Sequence, residues 1–180
     1  MTLSLQGNRI EEVQFVKVVV ALERNTTLTT LDLRGNCPKE VGIVAVADML
    51  ERNTTLTSLK LTSCCLREDE DTAVVRVLER NSTLTSLELN FFRFREGFGD
   101  TVAVAMERNT TLTTLGLRGS SLGEGFGEVV LDLLQRNTSL TSLDIDNDIE
   151  NYDEIQSILS EREPPIQGPI VKVAIPSIPR

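Results

Sequence analysis

The sequence predicts an α/β solenoid, a right-handed coil of short parallel strands and helices that stacks into a curved rod. The first observation is a phrase, E-R-N-T-T-L-T-T-L-D-L at Glu23–Leu33, that returns every 28 residues without insertion or deletion. A fixed period of roughly 20 to 50 residues indicates a solenoid, because each unit needs its neighbours to complete its core. The second observation is that each period changes from strand rhythm to helix rhythm. The later copies are Glu51–Leu61, Glu79–Leu89, Glu107–Leu117 and Gln135–Ile145.

The strand of each unit lies in the pattern L-x-x-L-x-L-x-x-N. Its first complete copy consists of Leu28, Leu31, Leu33 and Asn36. Alternation with a period of two is typical of a strand that buries one face. The same columns return at Leu3 with Leu5 and at Val171 with Val173, so seven strand positions are predicted.

The helix of each unit is predicted from a valine followed, four residues later, by a leucine or methionine. This spacing places both side chains on one helix face. The valines are Val18, Val46, Val74, Val102 and Val130. An asparagine follows each helix, and we expect it to adopt the left-handed conformation that closes helices. These asparagines are Asn25, Asn53, Asn81, Asn109 and Asn137.

Stacking these units predicts a horseshoe. Strands joined by crossover helices run parallel with right-handed connections. Neighbouring strands lie about 4.8 Å apart whereas a helix is about 10 Å wide, so the strands line the concave face and the helices the convex face. The predicted repeat domain is 1–163, a partial N-terminal repeat plus five 28-residue units. Residues 164–180 form a Pro-rich tail, with a final strand predicted at 170–174.

The first coil starts part-way through a unit, with Leu3 and Leu5 already in core columns. A terminal coil needs a polar cap to remain soluble. We therefore expect self-association or an upstream continuation at this uncapped end. At the other end, Arg162 occupies a leucine column and Pro164-Pro165 stops the helix, which indicates a closing coil.

Composition limits the function. The net charge of −9 argues against nucleic acid and anionic membranes as partners. Histidine is absent, which removes Ser-His-Asp and Cys-His catalysis and His-ligated zinc. Three cysteines without a C-x-x-C spacing favour buried thiols in a reducing, cytoplasmic compartment, although Cys37 and Cys65 stand one period apart and a disulfide between them is geometrically allowed. The sequence predicts no enzyme activity and no cofactor.

The acidic run Asp144, Asp146, Asp148 and Glu150 resembles the start of a calcium loop. The required Gly and Glu are replaced by Ile149 and Ile155, so no metal site is predicted.

The repeat resembles the leucine-rich repeat family, in particular its ribonuclease-inhibitor-like subtype, which includes tropomodulin-like, Ran-activator-like and innate-sensor-like repeats. The segment from Ala47 to Leu59 looks most like tropomodulin repeats. The resemblance implies a non-catalytic protein–protein interaction module that binds an unidentified protein through its concave face or its ends. The alternative is a regulator of a cytoskeletal protein or small GTPase, in which the acidic C-terminal coil and the exposed end of the stack contact the partner. An enzyme is the least favoured interpretation.

Candidate partner-binding residues are the polar positions between the strand leucines, together with one phenylalanine. They are Asp32, Arg34, Lys60, Glu88, Asn90, Arg118, Asp144, Asp146 and Phe91. Mixed charges of this kind favour specificity and fast association, and the competing interpretation is a solvated face whose opposite charges relieve one another. Within the segment from Phe91 to Phe98 we expect Phe94 and Phe98 in the core and Phe91 exposed. The five N-x-[ST] sites coincide with the asparagines that close the helices, so we interpret them as by-products of turn chemistry.

Overall fold

The computed structural model describes residues 1–36, 38–62, 68–92, 94, 97–120 and 122–162, and these form one parallel sheet covered by helices. The strands follow chain order, and each is followed by a helix. The strands are β1 (Thr2–Ser4), β2 (Thr30–Asp32), β3 (Ser58–Thr62), β4 (Ser86–Asn90), β5 (Thr114–Gly116) and β6 (Ser142–Asp144). The helices are α1 (Glu12–Leu22), α2 (Glu40–Arg52), α3 (Glu68–Arg80), α4 (Phe98–Arg108), α5 (Phe126–Arg136) and α6 (Tyr152–Arg162). The predicted α/β solenoid is confirmed.

The sheet register follows the sequence period. Leu3 pairs with Leu31, Leu31 with Leu59, and the series continues in steps of 28 residues to Leu143. The strand leucines from Leu31 to Leu143 are buried, and the valines and leucines predicted for the helices pack against them. One continuous core therefore runs along the stack, and the residues between the leucines are left on the outer face of the sheet.

The asparagine column is built differently from the prediction. Asn53, Asn109 and Asn137 are not left-handed but extended, with φ between −81 and −90°. The Asn53 side chain accepts hydrogen bonds from the backbone N–H groups of Thr55 and Leu56, at 2.9 and 2.8 Å. Its amide nitrogen donates to the carbonyl of Leu22 in the preceding coil at 2.8 Å. Asparagine is needed here because one amide can both accept within its coil and donate across to the next.

The same bonds recur along the stack, and the asparagines that make them are buried. Asn81, Asn109 and Asn137 donate to the carbonyl 31 residues earlier at 2.8, 2.7 and 2.6 Å. Each accepts from the backbone N–H three residues later. With Asn53, these side chains are 3–8% exposed, so their amide nitrogens cannot carry a glycan in this fold. The interpretation of these sequons as by-products agrees with this geometry.

The turn after β4 departs from the repeat, as its sequence indicates. Phe92 stands where Asn36 bonds the turn in an earlier coil, and its ring is fully buried. Ser120 of the following coil compensates: its hydroxyl accepts from the Phe92 N–H and donates to the Leu89 carbonyl, both at 3.2 Å. Phe94 and Phe98 are buried as predicted, with their rings stacked at 3.8 Å.

The two ends of the stack are finished differently. At the C-terminal end, the Arg162 guanidinium donates to the carbonyls of Leu134, Asn137 and Leu140. At the N-terminal end, Leu3 and Leu5 are only partly buried and Met1 is exposed. Contact of this end with another segment or copy stays a prediction.

Three further predictions fall on residues outside the described ranges: the strand at 170–174, the tail 164–180, and the Cys37–Cys65 pair. Within the described ranges, no helix combines the length and apolarity needed to cross a bilayer.

Candidate functional site

The concave face carries two columns of side chains between the strand leucines. One column holds Asp32, Lys60, Glu88, Gly116 and Asp144, which are neighbours in the sheet register. The second column lies two residues further along each strand and holds Arg34, Asn90, Arg118 and Asp146. All the predicted concave residues therefore lie on one surface, and the contacts between them divide it into two parts.

The paired cluster, defined as Asp32, Arg34, Lys60 and Glu88, satisfies its own charges. Arg34 donates to both carboxylate oxygens of Asp32, with Nε–Oδ1 at 2.9 Å and Nη2–Oδ2 at 2.7 Å. Lys60 Nζ lies 2.6 Å from Glu88 Oε1, and Arg34 Nη1 lies 3.9 Å from Glu88 Oε2. A guanidinium that binds a carboxylate through two parallel bonds holds a rigid geometry. A partner would have to compete with these internal bonds.

The bonds between Arg34 and Asp32 shift the pKa values of both groups. The hydrogen bond from the Arg34 side chain lowers the pKa of the Asp32 carboxyl below its ordinary value of 3.8, against the opposing effect of burial. The same bond raises the pKa of the Arg34 guanidinium. Both groups stay charged at neutral pH and stabilise each other.

The open cluster, defined as Phe91, Arg118, Asp144 and Asp146, lies at the other half of the face. Arg118 has a side chain that is 65% exposed, and its Nε is 3.9 Å from Asp146 Oδ1, at the outer limit of an ion pair. Asp146 Oδ2 accepts from the Gly119 N–H at 2.7 Å, and Asp144 is exposed. These charges are more available to a partner than those of the paired cluster.

Gly116 and Asn90 separate the two clusters. A β-carbon added at Gly116 would lie 3.0 Å from Asn90 Oδ1 and 3.3 Å from Glu88 Cγ, so those side chains lean over the glycine. Asn90 Oδ1 accepts from the Arg118 N–H at 2.8 Å and ties the ends of β4 and β5 together. The space beside Gly116 is therefore occupied by the side chains of Asn90 and Glu88.

Phe91 has an unusual backbone and an exposed ring. Its φ is 64°, in a turn position that glycine occupies in other coils: Gly7, Gly35 and Gly119 have φ of 72, 70 and 69°. The ring is 59% exposed and lies against Gly119, where an added β-carbon would collide with it. The exposure predicted for Phe91 is confirmed. The sequence contains a signal for this strain. When the repeats are aligned by the 28-residue period, phenylalanine replaces the glycine found at this position in other coils.

The polar and aromatic side chains of this surface are suited to binding another molecule. Among the residues that the structure describes, no group of three or more His, Cys, Asp or Glu side chains converges in a way that could hold a metal ion. The structure brings together Asn90, Phe91, Arg118 and Asp146 at the carboxyl ends of β4 to β6. It keeps the paired cluster apart from them.

These observations define a class, an α/β solenoid of 28-residue coils whose sheet presents a polar face. Comparison with known families matches the Leucine Rich repeat model at residues 24–47 and 52–68. These two segments are therefore similar to Leucine Rich repeat sequences, and their boundaries fall within the 28-residue units of the solenoid. A search of curated proteins gave no match.

Two solved structures share the fold. The first, described as leiomodin-1 actin-binding site 2, is 23% identical with a TM-score of 0.55, and the match covers 89% of this chain and 79% of that one. The second, the tropomodulin C-terminal domain from Caenorhabditis elegans, is 14% identical with a TM-score of 0.69, and the match covers 82% of this chain and 92% of that one. At these identities the likeness is one of fold.

Proposed function

We propose that this chain is a non-catalytic protein-binding module that contacts its partner through the open cluster. The observation that carries the proposal is Phe91, an exposed aromatic side chain held in a left-handed turn. A residue with a β-carbon in that conformation costs about 1–2 kcal/mol, which a glycine would avoid. Strain retained at an exposed residue points to a role outside folding.

The composition of the open cluster supports the same proposal. Aromatic residues and arginine are enriched among the few side chains that dominate binding energy at interfaces. Phe91 supplies apolar area, and Arg118 beside it supplies an exposed guanidinium. Asp144 and Asp146 add charges that orient a partner. The charges of the paired cluster are satisfied internally, so we propose that this cluster maintains the surface without contributing much affinity.

The test compares two variants of the open cluster with two controls. The intact chain is immobilised, and proteins captured from extract are identified for the wild type, Phe91→Gly and Arg118→Glu. We expect both variants to lose the captured proteins, while the controls Arg24→Glu in the exposed turn after α1 and Arg34→Glu in the paired cluster retain them. Phe91→Gly should keep or raise the free energy of unfolding, because glycine removes the backbone strain. Loss of capture with Arg34→Glu but not with Phe91→Gly would place binding at the paired cluster and contradict the proposal.

A second candidate function is regulation of actin. It is supported by the fold shared with the tropomodulin C-terminal domain and with the structure described as leiomodin-1 actin-binding site 2. In this proposal the acidic last coil, with Asp148 and Glu150 exposed, contacts the partner. The elongation rate of pyrene-labelled actin filaments should change on addition of the chain. The change should be lost in Asp148→Lys/Glu150→Lys and retained in Phe91→Gly. An elongation rate unaffected by the wild-type chain would exclude this candidate.

The buried sequon asparagines support an intracellular location. An attached glycan would break the bond from each amide nitrogen to the preceding coil. We therefore propose that the module works in the cytoplasm, where asparagine glycosylation does not occur.

A further inference from the structure

A groove of about 410 Å³ runs between α4 and α5 on the convex side, away from the concave face. Its floor is apolar and consists of Ala103, Val104, Val129 and Leu133. Val104 is 53% exposed, although it lies in the middle of a helix. An exposed aliphatic side chain in a groove is an available contact for an apolar side chain of a partner.

The rim of this groove is strongly acidic. Asp100 and Glu107 lie along α4, and Glu128 and Asp132 lie along α5. Arg136 is the guanidinium among the lining residues, and it sits at the end of α5, where it binds Glu107 and Asp132, both at 2.8 Å. Asp100 and Glu128 lie towards the opposite end, beyond the reach of that bridge. A groove with these charges attracts cations.

The groove between α2 and α3 is the equivalent of this groove two periods earlier in the chain, and an arginine occupies it. There Arg76 donates to Asp48 at 2.6 Å and lies 3.2 Å from Glu51. Shifted by 56 residues, Asp48 becomes Val104, Glu51 becomes Glu107, and Arg76 becomes Asp132. The α2–α3 groove thus contains its own guanidinium. In the α4–α5 groove that guanidinium is replaced by a carboxylate, and its former partner by an exposed valine.

We propose that the α4–α5 groove docks a basic amphipathic segment of a partner protein. A lysine or arginine of that segment lies near Asp100 and Glu128, the two carboxylates of the groove that the Arg136 bridge does not reach. An apolar side chain one helical turn away packs on Val104, since residues at i and i+4 share a helix face. This surface is separate from the open cluster, so binding here is independent of the proposed function.

The probe is a fluorescently labelled amphipathic peptide that carries leucines on one face and lysines beside them. Fluorescence anisotropy should show saturable binding to the intact chain that weakens as salt is added, because salt screens the charges. Glu128→Arg should weaken binding roughly tenfold or more, the scale of losing one well-placed charge interaction. The control Asp153→Arg makes the same charge change at an exposed position of α6 and should leave the affinity within about twofold, since distant exposed charges are largely screened.

The double variant Val104→Asp/Asp132→Arg recreates the Asp48–Arg76 pair in the α4–α5 groove. It should fold as stably as the wild type and lose the peptide, which excludes unfolding as the cause. Lack of saturable binding by the wild type would overturn the proposal. Equal weakening by Asp153→Arg, or equal binding of a peptide with glutamates in place of lysines, would overturn it as well.

Discussion

An asparagine inside the stack and its counterpart in the first coil occupy the same repeat position but make different hydrogen bonds. Both Asn109 and Asn25 accept from the backbone N–H groups two and three residues later. Asn109 also donates to Leu78 of the preceding coil at 2.7 Å, whereas Asn25 has no preceding coil in the described part of the chain. The contribution of a repeated residue to stability therefore depends on the coils beside it, which is the nearest-neighbour behaviour of solenoids.

In the last described coil, an arginine bonds the carbonyls that asparagine and threonine bond inside the stack. Inside the stack, Asn53 and Thr55 together donate to the carbonyls of Leu22, Asn25 and Leu28. At the end, Arg162 alone donates to the three carbonyls at the equivalent positions 134, 137 and 140. A guanidinium can do this because it presents five N–H donors in a planar fork. The last coil that the structure describes thus has its exposed carbonyls covered by a polar side chain.

The largest difference in free energy of unfolding should appear between a variant that removes the asparagine inside the stack and one that removes its counterpart in the first coil. Asn109→Ala leaves two backbone N–H groups and the Leu78 carbonyl without partners, mostly in a buried environment. Each such group costs about 1–3 kcal/mol, so we expect a loss of about 3 kcal/mol or more in the free energy of unfolding. Asn25→Ala should cost about 1 kcal/mol, because its acceptor role is lost in a more solvated turn. Urea unfolding followed by circular dichroism measures both.

Asn109→Asp keeps the acceptor, but it replaces the donor with a carboxylate oxygen that is buried against the Leu78 carbonyl. It should therefore destabilise the fold far more than Asn25→Asp, whose side chain faces no carbonyl of a preceding coil in the described part of the chain. Equal losses for Asn109→Ala and Asn25→Ala would show that the bond between coils adds nothing, and would contradict the comparison.

A smaller, local effect is expected at the capped end. Arg162→Ala removes three bonds to carbonyls that water can partly replace, so we expect a loss of about 1–2 kcal/mol confined to the last coil. Amide hydrogen exchange should become faster in α6 and remain unchanged in α2. Arg162→Lys, with a single donor group on a flexible stem, should restore little of the protection. Unchanged exchange in α6 for Arg162→Ala would show that the guanidinium does not close the stack.

Much of this fold could be predicted from the sequence, because the period and the leucine alternation depend on local spacing. The sheet register of 28 residues and the helix faces follow directly from them. The asparagine column could not be assigned correctly, because both a left-handed helix end and a bridge between coils select asparagine. Only the φ and ψ angles of the asparagines distinguish these two roles. Arg162 in a leucine column indicates a closing coil, but no pattern in the sequence shows that its guanidinium reaches three carbonyls of the previous coil.

The candidate site was predictable in part. The concave residues lie where the strand alternation places them. Their division into paired and open clusters depends on side-chain geometry, such as the two bonds from Arg34 to Asp32. The α4–α5 groove depends on which helix residues face each other across coils, which the strand columns do not report.

The smallest effect should come from an interaction that stays within one coil, the Asp32–Arg34 pair. Because this bond lowers the pKa of Asp32 below 3.8, the carboxylate stabilises the fold above that pH and loses its contribution as the pH falls through the lowered pKa. The difference in free energy of unfolding between the wild type and Asp32→Asn, followed across pH, reports the contribution of this pair.

That difference should be about 1 kcal/mol near neutral pH, the upper range for a partly exposed ion pair, and should shrink below about pH 4. Urea unfolding at a series of pH values measures it. A difference that grows as the pH falls would mean that burial outweighs the bond from Arg34 and raises the pKa of Asp32 instead. An effect that matches Asn109→Ala in size would show that bonds within a coil stabilise the stack as much as bonds between coils, which the contacts of Asn109 and Asn25 argue against.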